Sequence, residues 1–286
     1  MEESELLRSE GFQVFKKIGK GALVKVYLVQ HPDVGVIAAK VIQNENFEEN
    51  EWTAAGVFVG DPPNTRSFIV KYIAAKKFDE MTVILMEWAN IGSLIELIKT
   101  NIDIPIPVVR MIMKQILEGL RYIHSKGIIH RDIKGGNILM HCPPGSGRVV
   151  LKIADFGEAK LKAGIDQSQE ITIVGTPQYM APELFLFGNE VRVNADAKID
   201  IWSFGIFVYL LISHTFPFKS LIYEDIRTFM INQRFERHPK IIDDQLWNLL
   251  QQMISFDPIN RISAYGKSKG VLRIQQTKEE KARIKR

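Results

Sequence analysis

The stretch from His130 to Leu139 holds the residues with the clearest chemical potential in this chain. It sets a carboxylate (Asp132), an ammonium group (Lys134) and an amide (Asn137) in a short loop between apolar segments. Asp132 can orient an attacking hydroxyl and accept its proton, Lys134 can offset charge on a transferring phosphoryl group, and Asn137 can hold a metal ion. A solvated loop would explain the polarity but not this order of groups. The order matches a known phosphoryl-transfer signature.

A second carboxylate, Asp155, follows Asn137 by eighteen residues and begins the triplet Asp-Phe-Gly. It comes after an apolar strand, a position from which a carboxylate can hold Mg²⁺ against phosphate groups. The triplet alone is common and carries little information. Its distance from the loop is what makes it fit the same chemistry.

Two glycines near the N-terminus, Gly19 and Gly21, lie in a turn between predicted strands. Glycine lets backbone amides approach phosphates closely, but taken alone the pair is better explained as a plain hairpin turn. Val24 stands where the third glycine of the G-x-G-x-x-G pattern would be. Lys40 ends the next apolar strand, and such a lysine usually extends to water, so a phosphate-binding role for it stays open.

The distribution of apolar residues divides the chain into two parts. Roughly the first 85 residues favour strands, with one short helix at Phe47–Val59. The predicted strands are Phe12–Ile18, Lys25–Gln30, Val36–Ile42, Phe68–Ile73 and Met81–Met86. From Ser93 onward helices dominate, and long ones are predicted at Val108–Ser125, Ala195–Ser213 and Asp243–Phe256. This order predicts an α+β fold with two lobes that divide near residues 87–93.

Composition limits the classes of function. The chain has 286 residues, of which 46% are hydrophobic and 24% charged, as in ordinary globular proteins. No apolar run is long enough to span a bilayer, and the acidic start does not match a secretory signal. The single cysteine, Cys142, excludes an intramolecular disulfide and fits a reducing compartment. We therefore expect a cytoplasmic protein without a membrane span, with the nucleus as the alternative.

The positive charge of the chain is concentrated in residues 266–286. This segment holds eight Lys or Arg and two Glu, a net of +6, whereas the whole chain carries +4. The other 265 residues therefore carry −2, so no nucleic-acid partner is expected for the body of the protein. We treat 266–286 as a basic C-terminal tail that catalysis does not require.

Taken in order, these motifs resemble the eukaryotic-type protein kinase superfamily over roughly Phe12–Ser263. The matching segments are the two-glycine turn, Ala-Ala-Lys40, His130-Arg-Asp132, Asp155-Phe-Gly, Gly175-Thr-Pro-Gln-Tyr-Met-Ala-Pro-Glu183, Asp200-Ile-Trp-Ser-Phe-Gly205 and Asp257-Pro-Ile-Asn-Arg261. The resemblance implies a two-lobed kinase domain at 12–263, with an N-lobe at about 12–86, a hinge at 87–93 and a C-lobe at 94–263. It also implies transfer of the γ-phosphoryl of ATP to protein hydroxyls.

By this resemblance, Lys40 grips the α- and β-phosphates and pairs with a glutamate on the small-lobe helix. Glu51 is the expected partner, although it follows Lys40 by only eleven residues, and Glu48 and Glu49 remain alternatives. Asn137 and Asp155 would hold Mg²⁺ or Mn²⁺. Asp132 and Lys134 would act on the reacting groups.

The resemblance also implies a set of residues around the adenine ring and the phosphates. These are Ile18, Gly19, Gly21, Val26, Ala38, Met86 at the gatekeeper position, the hinge residues Glu87 and Trp88, and Leu139. Core packing explains the apolar members equally well, and both roles can hold together.

Three further features refine the resemblance. Lys134 and the pair Gly175-Thr176 look like Ser/Thr kinases, and Gly135-Gly136-Asn137 is similar to kinases of MAP-kinase cascades. Asp200 would brace the catalytic loop, and Glu183 would pair with Arg261. Two departures are an insertion, Gly60-Asp-Pro-Pro-Asn-Thr-Arg, and the lack of a usual final helix after Ala264.

Two other functions compete with an active Ser/Thr kinase. A pseudokinase would bind ATP as a scaffold without catalysis, although Lys40, Asp132, Asn137 and Asp155 are all present. A small-molecule phosphotransferase is disfavoured by the long segment before Ala-Pro-Glu183. An upstream kinase is expected to activate the protein at Thr172, where a phosphate could pair with Arg131.

Overall fold

The computed structural model describes residues 2–21, 24–161, 175–186 and 196–265. Thr172 and the basic tail at 266–286 lie outside the described residues. The description below concerns the four described ranges only.

The small lobe is built on one antiparallel sheet with the strand order β1-β2-β3-β5-β4. Its strands are β1 (Gln13–Lys20), β2 (Val24–His31), β3 (Gly35–Gln43), β4 (Tyr72–Lys77) and β5 (Met81–Glu87). Two helices accompany the sheet, α1 (Glu3–Ser9) and α2 (Glu49–Val57). Consecutive strands are joined by short turns, except between β3 and β4, where α2 lies.

The central strand β3 is buried on both faces, which explains its nearly continuous apolar sequence. On one face, Leu6 and Leu7 of α1 pack with residues of β2, β3 and β5. On the other face, Ala38 and Met86 pack with Ala154 of the large lobe. This second face is the roof of the cleft between the lobes.

The prediction of a strand at Phe68–Ile73 is wrong in its position, because β4 begins only at Tyr72. The preceding residues bond to another strand instead. The N–H of Val70 donates to Ile153 O at 2.9 Å, and the N–H of Ile153 donates to Phe68 O at 2.8 Å. Phe68 and Val70 therefore bond to the large lobe, whereas β4 of the small lobe begins at Tyr72. The spacing of apolar residues alone does not reveal this division.

The large lobe is mainly helical, as predicted. Its helices are α3 (Leu94–Lys99), α4 (Ile106–Ser125), α5 (Pro182–Phe185), α6 (Lys198–Ser213), α7 (Tyr223–Asn232) and α8 (Asp244–Met253). The first two long predicted helices correspond to α4 and α6, and the third is shortened to α8 at both ends. α6 is buried along its whole length and forms the centre of the core with α4 and α8.

Short strands in the large lobe hold the loops that face the cleft. They are β6 (Gly92–Ser93), β7 (Ile128–Ile129), β8 (Ile138–His141), β9 (Val150–Ile153) and β10 (Lys160–Leu161). β8 pairs with β6 and β9, and β7 pairs with β10. The catalytic-loop residues predicted from sequence fall between β7 and β8, and Asp155 follows β9.

The structure confirms the predicted α+β class and the predicted division into a strand-rich small lobe and a helical large lobe. Among the described residues, no helix combines the length and the apolar character needed to cross a membrane.

Candidate active site

The loop between β7 and β8 is fixed from below by a buried carboxylate, Asp200 of α6. Its Oδ2 accepts from the backbone N–H of His130 at 2.9 Å and its Oδ1 from that of Arg131 at 2.8 Å. His124 Nε2 lies 2.8 Å from Oδ2. Burial alone would raise the pKa of Asp200, but these partners outweigh it and hold the pKa below 3.8. The predicted bracing role of Asp200 is confirmed.

Asp132 lies at the centre of a small polar cluster. Its Oδ1 accepts from the Thr176 hydroxyl at 2.9 Å, and its Oδ2 lies 2.7 Å from Lys134 Nζ. Asn137 Nδ2 donates to the same Oδ2 at 2.9 Å. Lys134 also reaches Thr176 Oγ1 at 2.9 Å. The carboxylate is therefore oriented by three donors from both sides of the loop.

Gly175 allows Thr176 to approach this cluster. Its φ is +112°, a conformation that side chains rarely adopt, and a Cβ there would lie 2.8 Å from Arg131 O. A larger residue would push the chain bearing Thr176 away from Asp132.

Above Asp132, three charged side chains from three elements meet. Lys40 Nζ of β3 lies 2.6 Å from Glu51 Oε2 of α2 and 2.8 Å from Asp155 Oδ1. The side chains of Lys40 and Glu51 are almost fully buried, whereas that of Asp155 is 47% exposed. Glu48 and Glu49 are both exposed. Of the three glutamates considered from sequence, the structure pairs Glu51 with Lys40.

The electrostatics favour the charged forms of Lys40 and Asp155, whereas burial raises the pKa of Glu51. Burial opposes the charge on Lys40, but the carboxylates of Glu51 and Asp155 outweigh it and raise the pKa of Lys40. Burial likewise would raise the pKa of Asp155, but the Lys40 ammonium holds it below 3.8. Asp155 is thus a half-exposed carboxylate at neutral pH, directed into the cleft beside a fixed cation.

The residue after Asp155 anchors the triplet to the core. Phe156 is fully buried, and its ring centroid lies 4.8 Å from that of His130 and 5.5 Å from that of Phe58. His130 Nε2 is also 3.0 Å from Ala154 O. The catalytic loop and the Asp-Phe-Gly segment are therefore held together by both packing and a hydrogen bond.

The residues predicted to surround an adenine ring form one apolar cluster between the lobes. Ala38 and Met86 are buried in it together with Ala154. The partly buried members are Val26, Trp88 and Leu139, together with Val24, Phe47, Tyr72 and Ala75. The cluster spans both lobes, as a flat apolar ligand in the cleft would require.

The two-glycine turn lies directly above this cluster. Gly19 of β1 stands opposite Val26 of β2, and Val26 stands opposite Lys40 of β3. The N–H of Gly21 donates to Val24 O at 2.8 Å, which closes the turn. Ile18 is 40% exposed at its edge. The sheet thus places Gly19 of β1 and Lys40 of β3 on either side of Val26 in β2.

The hinge is tied to the large lobe. Glu87 Oε1 accepts from Lys71 N at 2.7 Å and lies 3.0 Å from Lys152 Nζ on β9. The side chain of Asn90 makes two hydrogen bonds with the backbone of Cys142, at 2.9 and 2.8 Å. These contacts fix the hinge, and with it the small lobe, relative to the large lobe across the cleft.

The donor set fits a divalent ion bound with phosphates. Asp155 is ionised and half-exposed, and Asn137 uses its Nδ2 for Asp132, so its amide oxygen is the atom suited to a metal. Carboxylate and amide oxygens are ligands that Mg²⁺ prefers, with phosphate oxygens and water completing its shell. The side chains of Asp155 and Asn137 therefore fit a Mg²⁺ ion bound together with phosphates.

The sequence analysis missed one residue of the site, Tyr72. Its hydroxyl donates to Glu51 Oε1 at 3.1 Å. No motif marks it, since it stands in an apolar stretch twenty-one residues after Glu51. Only the fold, which brings β4 beside α2, shows that its hydroxyl reaches Glu51.

Large-lobe packing confirms one more predicted pair. Arg261 donates from Nη1 and Nη2 to the two carboxylate oxygens of Glu183 at 2.6 and 2.8 Å. This pair joins α5 to the segment after α8.

Comparisons with known proteins agree with this geometry. The model of the protein kinase domain family matches residues 12–271. Serine/threonine-protein kinase 10 of Danio rerio is 36% identical over 68% of this chain. The 3-phosphoinositide-dependent protein kinase B of Dictyostelium discoideum is 33% identical over 87% of the chain, and the cell cycle serine/threonine-protein kinase CDC5/MSD2 of Saccharomyces cerevisiae is 31% identical over 86%.

The aligned part of this chain spans only 20%, 27% and 34% of the lengths of these three relatives. The match of the family model nevertheless covers most of the chain, and its motifs occupy the positions that the fold brings together. Members of this family use ATP with a divalent metal and act on proteins. The chain belongs to the protein kinase domain family.

Proposed function

We propose that this protein transfers the γ-phosphoryl group of ATP to serine or threonine hydroxyls of protein substrates. The observation that carries the proposal is the arrangement of Asp132, with Lys134 and Thr176 on its two carboxylate oxygens. The ion cluster of Lys40, Glu51 and Asp155 supports it. Two of the three relatives named above are called serine/threonine-protein kinases, which supports the class of hydroxyl.

In this proposal each polar residue has a separate task. Asp132 orients the substrate hydroxyl and accepts its proton. Lys134 offsets negative charge on the transferring group. Lys40, fixed by Glu51, binds the α- and β-phosphates, and the two-glycine turn with Gly19 and Gly21 covers the phosphates from above.

We propose Mg²⁺ as the ion, with Mn²⁺ as a substitute, held by Asp155 and Asn137. When bound, the ion neutralises negative charge on the phosphates. The adenine is placed between Ala38 and Val26 above and Leu139 below. Met86 and the hinge residues Glu87 and Trp88 line the inner edge of this slot.

The test is incubation of the purified protein with radiolabelled ATP, Mg²⁺ and a generic basic protein, followed by phosphoamino acid analysis. Label on phosphoserine or phosphothreonine in the wild type, but not in Asp132→Asn, is expected. ATP binding without any transferred label would instead identify a pseudokinase. Label on phosphotyrosine alone would refute the proposed substrate class.

A second proposal concerns regulation by an upstream kinase at Thr172, which lies outside the described residues. It is supported by the position of Arg131, whose Nε donates to Glu158 O beside the catalytic carboxylate. A phosphate adds about −1.5 to −2 charges and pairs well with a guanidinium group. Mass spectrometry of the active protein should find phosphate at Thr172, and Thr172→Ala should lower the initial rate. Equal rates in the wild type and in Thr172→Ala would refute this proposal.

A further inference from the structure

The carboxylate of Glu51 has two donors, one on each oxygen. Lys40 Nζ lies 2.6 Å from Oε2, and the hydroxyl of Tyr72 donates to Oε1 at 3.1 Å. The Glu51 side chain is only 3% exposed, so both contacts form away from water. A buried carboxylate held on both oxygens has little freedom to rotate.

The backbone of β4 explains how Tyr72 reaches α2. Tyr72 is opposite Met86 in β5, whereas Ala74, two residues later, is opposite Leu85. This shift in register is a bulge at Ile73. Bulges redirect side chains and commonly occur beside active sites. Next to this bulge, the Tyr72 side chain is directed toward Glu51.

Tyr72 also contacts the Asp-Phe-Gly segment. Its ring centroid lies 6.2 Å from that of Phe156 in an edge-on arrangement, with an interplanar angle of 72°. Burial, and then the negative charge of Glu51, raise the pKa of Tyr72 well above 10. The phenol is therefore protonated at neutral pH and donates its proton to Glu51.

We propose that Tyr72 is a positioning residue that fixes the orientation of Glu51, and through it the Lys40 ammonium, in the geometry that ATP requires. It touches Glu51 of α2 with its hydroxyl and Phe156 with its ring. This inference rests on the proposed function, and it adds a residue that no motif contains.

Tyr72 affects the position of Lys40 because the Lys40 ammonium has two carboxylate partners, Glu51 and Asp155. Without the Tyr72 hydrogen bond, Oε1 of Glu51 loses its donor inside a buried site, where an unpaired polar atom is costly. Glu51 can then rotate to gain a second contact with Lys40, which draws the ammonium away from the phosphates. Small displacements of such groups reduce rates strongly.

The test uses Tyr72→Phe, which removes the hydroxyl and keeps the ring against Phe156. We expect kcat/KM for ATP to fall about tenfold while KM for the protein substrate stays unchanged, and the unpaired Glu51 oxygen should lower the thermal unfolding midpoint by about 2–4 °C. Tyr209→Phe is the matched control, because the hydroxyl of Tyr209 donates in the large lobe to Glu236 O at 3.5 Å. That variant should match the wild type.

A double-mutant cycle with Glu51→Gln separates positioning from general loss of structure. If Tyr72 acts through Glu51, Tyr72→Phe should change ATP affinity less than about twofold in the Glu51→Gln background. Equal effects in both backgrounds, or wild-type kcat/KM in Tyr72→Phe alone, would overturn the inference. The cycle is measured as ATP affinity, so it remains decisive if the wild type binds ATP without phosphorylating protein, a result that would refute the proposed function instead.

Discussion

Lys40 and Glu51 form a buried ion pair of 2.6 Å although only eleven residues separate them in the chain. β3 ends at Gln43, a single turn of 3₁₀ helix covers Asn44–Asn46, and α2 begins at Glu49. The chain therefore passes from strand to helix almost directly. The short interval is compatible with the pair because Glu51 lies in the first turn of α2, on the side that faces β3.

This relationship leads to the first prediction. Lys40→Met and Glu51→Gln should each lower kcat/KM for ATP by about a hundredfold, because the pair holds the ammonium in reactive geometry. Glu49→Gln is the matched control, since Glu49 is exposed two residues before Glu51 in the same helix, and it should stay near wild type. Steady-state kinetics with varied ATP would show this. A silent Glu51→Gln beside a damaging Glu48→Gln or Glu49→Gln would contradict it.

The second prediction concerns Asp132, the carboxylate that we propose orients the substrate hydroxyl. Asp132→Asn should lower kcat by about 10²–10⁴-fold, because the amide cannot accept the proton. ATP affinity, measured by titration, should remain that of the wild type, since Asp132 is assigned to the hydroxyl rather than the nucleotide. Turnover near the wild-type level would exclude Asp132 as the base.

The third prediction is that catalysis requires a divalent ion and that Asp155 remains ionised throughout the working pH range. Burial would raise the pKa of Asp155, but the Lys40 ammonium lowers it from its ordinary value, so the carboxylate is ionised at neutral pH and loses its charge only in acid. Chelator should abolish activity and added Mg²⁺ should restore it. Between pH 6 and 8, Asp155→Asn should be impaired to the same extent at every pH. Full activity in excess chelator would rule out the metal.

The catalytic loop and its braces could be predicted because their residues occur as short ordered motifs. His130, Asp132 and Asn137 are close in sequence, and α6 brings Asp200 beneath them as expected. The pair Glu183–Arg261 spans seventy-eight residues, but both ends lie in recognisable motifs. Sequence motifs therefore predict contacts between distant residues, which the spacing of apolar residues does not.

The parts that escaped prediction depend on packing between distant segments. Tyr72 was not recognised because an apolar stretch does not reveal which hydroxyl will meet a carboxylate. The insertion at Gly60 also forms unforeseen contacts, since Asp61 accepts from the Tyr122 hydroxyl at 2.7 Å and lies 2.6 Å from Lys126. Helix α1 was missed because its seven residues contain only two buried apolar positions, Leu6 and Leu7.

The fourth prediction tests the brace under the catalytic loop. Asp200→Asn should lower the free energy of unfolding by about 3 kcal/mol, because the amide brings a donor against the backbone N–H groups of His130 and Arg131. The folded pKa of Asp200 is below 3.8, so its contribution is complete above the unfolded pKa and disappears as the pH falls through the folded value. Urea unfolding should show a constant difference from about pH 7 to pH 5 that shrinks below about pH 4. Asp79→Asn, at an exposed site, should show no such difference.

The last prediction concerns the pair that closes the large lobe. Arg261 is 1% exposed and binds both oxygens of Glu183, and its Nε also donates to Ser255 O at 2.9 Å. Arg261→Lys keeps the charge but loses the paired geometry, so it should destabilise the protein by about 3–5 kcal/mol, and Glu183→Gln should have a similar effect because it leaves a buried guanidinium unpaired.

The control for this prediction is an exposed pair, Lys99 and Glu96, with side chains 63% and 57% exposed. Lys99→Gln should change stability by less than about 1 kcal/mol. Urea unfolding measures the free energy of unfolding of four proteins: the wild type, Arg261→Lys, Glu183→Gln and Lys99→Gln. The double change of Arg261 and Glu183 to methionine should recover part of the loss, because it removes both buried charges together. If Arg261→Lys is as stable as Lys99→Gln, the buried pair does not hold the large lobe together.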